Sequence, residues 1–89
     1  MAEVHFTSHL RTLVPGGPFA APGATVGDAL QALFVEEPQV RGYVLDERGA
    51  LLKHVCIFAD GERLAHDAAL SRRIGANTKL YVMQALSGG

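Results

Sequence analysis

Eighty-nine residues leave room for one small domain, and a composition that is 48% hydrophobic and 19% charged predicts a folded chain. A domain this small has little surface to spare for a walled active site, so a carrier, binding module or subunit is expected rather than a self-contained enzyme. Eight Lys and Arg against nine Asp and Glu give a net charge of -1, without the basic excess that nucleic-acid binding needs.

Val4, Phe6 and Leu10 recur at a period of two within residues 3–10, with Glu3, His5, Thr7 and His9 on the other side, which reads as a half-buried strand. Pro15-Gly16-Gly17-Pro18 is the strongest turn signal in the chain. Phe19 to Pro22 can form a short second strand, with Pro22 ending it or lying at an edge. Thr25 then opens a helix. Its side chain can accept from backbone N–H groups of the first turn, and Asp28 adds negative charge at the helix's positive end. Val26, Ala29, Leu30, Leu33 and Phe34 make one apolar stripe, and Pro38 stops the helix by residue 37.

Residues 39–52 read as a loop containing one helical turn, with an exposed turn at Asp46-Glu47-Arg48-Gly49. Residues 53–59 are rich in strand formers, and Asp60-Gly61 is a two-residue hairpin signal whose return strand includes Leu64. A single helical turn is expected within 67–75, and a last strand over 78–86 sets Leu80 and Val82 on one face and Tyr81 and Met83 on the other. This order suggests an α+β fold, a ββαββ sheet with one helix across one face. One of the two faces of this last strand, Leu80/Val82 or Tyr81/Met83, must then be the open one, and Phe58 or Ile57 joins it from the neighbouring strand.

One cysteine, Cys56, excludes an internal disulfide framework and a multi-cysteine metal site within one chain, and it reads as an ordinary packed thiol. On a strand, His5 and His9 would stand about 13 Å apart, too far to share an ion, so no metal site is expected. His54 and His66 flank the hairpin and read as solvated. Arg72, Arg73 and Lys79 read as a solvated face. With neither a signal peptide nor a membrane-spanning apolar run in view, the expected compartment is the cytosol.

The chemistry sits at the end of the sequence, where Ser87-Gly88-Gly89 follows the last strand. Two glycines can thread a narrow slot in a partner and take backbone angles closed to other residues. The terminal carboxylate of Gly89 is a poor electrophile until adenylated. Sulfide or persulfide attack on the acyl-adenylate then gives a thiocarboxylate, an ionised sulfur nucleophile near neutral pH. The expected organisation is therefore one domain over 1–89 with an exposed tail at 85–89.

Five segments in order carry a resemblance: Val4-His5-Phe6; Ala24-Thr25-Val26-Gly27-Asp28-Ala29-Leu30; Val55-Cys56-Ile57-Phe58-Ala59-Asp60-Gly61-Glu62; Lys79-Leu80-Tyr81-Val82-Met83; and Gly88-Gly89. Together they resemble the MoaD/ThiS family of ubiquitin-like sulfur carriers. The resemblance implies a β-grasp fold with a mixed sheet of four to five strands. It implies a protein that is not itself an enzyme and binds no cofactor, with ATP used by a ubiquitin-activating-type adenylyltransferase that charges Gly89 beside Gly88. The thiocarboxylate would pass sulfur to an enzyme of molybdopterin, thiamine, cysteine or related synthesis. Phe58, Tyr81, Met83 and Leu86 are the expected docking residues for the activating enzyme. The tail Gln84-Ala85-Leu86-Ser87-Gly88-Gly89 departs from the Pro-Pro-Val-Ala-Gly-Gly type of molybdopterin-synthase subunits, and the long connection 38–53 is more like carriers for cysteine or other sulfur metabolites. Conjugation to protein lysines through Gly89, and a non-covalent β-grasp binding subunit, are the alternatives.

Overall fold

The computed structural model describes residues 1–7 and 9–84, and in it strand β1 (Ala2–Phe6) alternates buried Ala2, Val4 and Phe6 with half-buried Glu3 and His5. A period of two is what a sheet with one covered face requires. The sequence pattern carries this strand on to Leu10, but a short helix α1 (His9–Leu13) intervenes. Leu10 reaches the core from that helix, and His9 is an exposed helical residue. Strand β2 (Phe19–Ala21) pairs antiparallel with β1 and stops before Pro22.

Helix α2 (Val26–Glu36) starts as its sequence indicates, with the Thr25 hydroxyl accepting from the Asp28 N–H at 3.1 Å. Its stripe of Val26, Ala29, Leu30, Leu33 and Phe34 is buried. The connection that follows is more ordered than a loop with one turn. A 3-10 turn (Pro38–Val40) runs directly into a one-turn helix α3 (Arg41–Val44), and these bury Val40 and Val44. Asp46 then closes a tight loop by accepting from the N–H groups of Arg48 and Ala50 at 2.8 and 3.0 Å.

Strand β3 (Val55–Ala59) turns through Asp60 and Gly61, at φ 49° and 87°, into β4 (Glu62–Arg63). Positive φ at both central residues matches the right-handed twist of the flanking strands. Leu64 falls just past β4, although its N–H still donates to the Ile57 carbonyl at 3.0 Å. After a 3-10 turn (Ala69–Ser71), strand β5 (Lys79–Gln84) completes a five-stranded sheet in the order β2-β1-β5-β3-β4. β1 and β5 run parallel and the other pairs antiparallel. One face lies under α2, and between them Val4, Val26, Leu30, Ile57, Leu80 and Val82 are at most 1% exposed. Each such side chain contributes about 2 kcal/mol by leaving water. The architecture is the β-grasp arrangement, with β5 in the middle of the sheet.

Candidate functional site

Because β5 is central, its side chains face one element on each side and both faces of the sheet. Leu80 and Val82 are fully buried beneath α2, so Tyr81 and Met83 point to the uncovered face. Register fixes their neighbours: Tyr81 stands opposite His5 on β1 and Phe58 on β3, and Met83 stands opposite Cys56. Phe58 rather than Ile57 therefore joins the open face, since Ile57 is 1% exposed. The expected docking residues Phe58, Tyr81 and Met83 are brought together, all half-buried. Leu86, Gly88 and Gly89 lie outside the described residues, as does the whole of 85–89.

Four further residues, His5, Glu3, Cys56 and Arg63, join this face through pairing across strands. The His5 ring stacks on Tyr81 with centroids 4.6 Å apart and planes 17° from parallel, and its Nε2–H donates to the Glu3 carboxylate at 3.1 Å. Arg63 Nη2 donates to Cys56 Sγ at 3.6 Å, placing a guanidinium at the rim. The result is an aromatic and sulfur-bearing surface edged by charge. The parallel β1–β5 pairing that brings His5 here links residues more than seventy positions apart.

At the end of β5 two side-chain oxygens, Thr7 Oγ1 and Gln84 Oε1, are buried without a hydrogen-bond partner among the described residues. The Thr7 N–H donates to the Val82 carbonyl at 3.0 Å, so Thr7 sits where β5 runs out toward the last five residues. A hollow of about 280 Å³ opens there, lined by His5, Thr7, Arg11, Gly17, Pro18 and Tyr81.

The remaining sequence candidates resolve individually. His66 and His54 are exposed, with His66 Nε2 2.9 Å from the Leu52 carbonyl oxygen. Arg72 is engaged with Glu62 at 2.8 Å, and its guanidinium holds the Glu62 carboxyl below the ordinary range. Among the described residues no three His, Cys, Asp or Glu side chains converge as a metal site would need, and no helix is long and apolar enough to cross a membrane.

No protein-family model matches the chain. Over all 89 residues it is 34% identical to small archaeal modifier protein 1 of Haloferax volcanii, covering 100% of this chain and 91% of that protein. The crystal structure of that modifier aligns with a TM-score of 0.75 at 29% identity, covering 99% of this chain and 98% of the other. A chain from the BexX/CysO complex of Amycolatopsis orientalis shares the fold, with a TM-score of 0.82 at 20% identity over 100% of both chains.

Proposed function

The chain belongs to the ubiquitin-like, β-grasp family of sulfur carriers and modifiers of the MoaD/ThiS type, and from that premise we propose that it carries sulfur on the carboxyl group of Gly89. A ubiquitin-activating-type adenylyltransferase docks on the face formed by Phe58, Tyr81 and Met83, with Leu86 continuing it, and takes Gly88-Gly89 into its own active site. The Gly89 carboxylate attacks the α-phosphorus of ATP and expels pyrophosphate. Sulfide then adds to the acyl-adenylate carbonyl and AMP leaves, so that a C–S bond replaces the C–O bond to phosphate. The thiocarboxylate donates its sulfur to a biosynthetic enzyme making molybdopterin, thiamine, cysteine or a related metabolite. The chain itself supplies the carbonyl and the docking face, and binds no cofactor of its own.

The observation that carries this reading is that β5 bears Tyr81 and Met83 on the open face and its sequence continues within five residues to Gly89. ATP–pyrophosphate exchange by an activating enzyme, dependent on the chain and lost when Gly88 and Gly89 are deleted, is the expected result. Exchange unaffected by that deletion contradicts it.

The 34% identity to a protein named as a modifier favours a second use of the same activated group. Attack by a lysine Nζ in place of sulfide gives an isopeptide bond. Proteomic recovery of target lysines bearing the tail of this chain, absent in the deletion variant, would establish it.

A further inference from the structure

Among the described residues β2 is an edge strand, paired with β1 alone. The neighbouring ladder determines which of its backbone groups are spare. The N–H groups of Glu3 and Thr7 donate to the carbonyls of Thr78 and Val82 on the β5 side. Backbone direction alternates along a strand, so Ala2 and Val4 turn theirs toward β2. In the register Ala2 with Ala21 and Val4 with Phe19, those pairs occupy Phe19 and Ala21. Ala20 is left with its N–H and C=O pointing outward, and it is exposed.

A groove of about 680 Å³ lies beside that edge, between β2 and α2. Phe19 and Leu33 contribute to its lining, with Val35 and Met1 standing 79% and 70% exposed. Glu36 and Glu37 add two carboxylates, Glu37 Oε1 accepting from Gln39 Nε2 at 2.9 Å, and the lining contains no lysine or arginine. Val35 is the residue that departs from the amphipathic pattern of α2, an aliphatic side chain on its solvent side.

We propose that this groove receives an extended segment of a partner protein, which adds a strand to β2. The segment places an aliphatic or aromatic side chain against Phe19 and Val35 and a lysine or arginine against Glu36 and Glu37. Ala20 offers the donor and acceptor that an added strand needs. The apolar lining supplies the anchor site, and the two carboxylates select a basic segment over an acidic one. A second copy fits less well, because its own edge, Pro18-Phe19-Ala20-Ala21-Pro22, brings no cation. The groove is on the helix-bearing side, whereas Tyr81 and Met83 face the other way, so a partner held here leaves the activation face free.

The test is a titration of the ¹⁵N-labelled full chain with a blocked peptide, Lys-Val-Ile-Val-Lys, and with its counterpart carrying glutamate at both ends. Saturable amide shifts at Ala20 and along Leu33 to Glu37 are expected, with a dissociation constant on the order of 0.1 to 1 mM. The glutamate peptide should bind at least tenfold more weakly. Val35→Lys, at a solvated position that the fold does not need, should cost at least tenfold. Equal binding of the two peptides, shifts centred on Phe58 and Tyr81, or no saturable shift overturns the proposal. Concentration-dependent shifts at Ala20 without peptide assign the groove to a second copy and overturn it equally.

Discussion

The imidazole of His5 lies nearly flat on the phenol ring of Tyr81, joining the first strand of the chain to the last on the face that α2 leaves uncovered. Glu3 holds the imidazole at its edge, accepting from Nε2 at 3.1 Å. Tyr81 is therefore held between His5 and Phe58, so the proposed docking of an activating enzyme would need little ordering of this face.

Tyr81→Asp and Met83→Asp should each lower the rate of activation at least tenfold. The lost stack and contacts cost about 1 kcal/mol, a fall in melting temperature of about 4–8 °C for a domain of this size. Activation kinetics and thermal melts on the same samples separate the two effects. A large loss of stability with unchanged activation would mean that this face is structural.

Burial of Thr7 Oγ1 without a partner among the described residues predicts a gain on its removal. Replacing a stranded hydroxyl with a methyl of similar shape relieves its desolvation cost, so Thr7→Val should stabilise the free chain by about 1 kcal/mol in urea unfolding. A loss of the same size would show that the hydroxyl is satisfied in solution.

Two glycines separate backbone strain from collision. Gly61 has φ 87° with open space where a Cβ would go, so Gly61→Ala should cost about 1–2 kcal/mol from the left-handed backbone alone. Gly23 has φ 155°, and a Cβ there would come within 2.6 Å of the Ala29 nitrogen in the first turns of α2. Gly23→Ala should therefore be the more damaging of the pair, by denaturant unfolding. Equal costs would mean that α2 shifts freely.

Two carboxylates, exposed Glu62 and half-buried Asp46, give the fold an acid limit. Arg72, by hydrogen bond and charge, holds the Glu62 carboxyl low, and the Ala50 N–H, followed by that of Arg48, does so for Asp46. The unfolded chain then binds more protons than the folded one as pH falls through the ordinary carboxylate range. Stability present above about pH 4.5 is lost below it. Melting temperature should drop across that window at low salt, and drop less in Glu62→Gln. The contribution is small because Glu62 is exposed and Asp46 keeps contact with water. An identical pH profile for Glu62→Gln would remove the pair from the account.

Where local pattern and burial agree, the sequence was legible. The Thr25 cap, the stripe of α2, the Asp60-Gly61 turn and the opposed faces of β5 all follow from side chains within a few residues of one another. The elements misread are those whose signals are too short. Leu10 satisfies both a strand alternation begun at Val4 and a single-turn helix with one buried residue, and only the packing decides between them. β4 spans two exposed residues, so buried Leu64 drew the expected strand one position too far. The company of Tyr81 was half legible: Phe58 or Ile57 followed from alternation, but His5 enters through a long-range parallel pairing that no local pattern encodes. Val35 and Ala20, at the groove beside β2, gave no sign in sequence because an exposed valine and alanine are ordinary on any surface.

Extending the chain by one residue after Gly89 should abolish activation and leave the melting temperature unchanged, since the reacting group is moved while the core is untouched. A normally activated extended variant would place the chemistry elsewhere.

The most direct measurement is the intact mass of the chain after incubation with a competent activating enzyme, ATP and sulfide. The account predicts the increment of one oxygen exchanged for one sulfur, mapped by fragmentation to Gly89. An unchanged mass under conditions that charge an authentic carrier, or sulfur located on Cys56 instead, would contradict it.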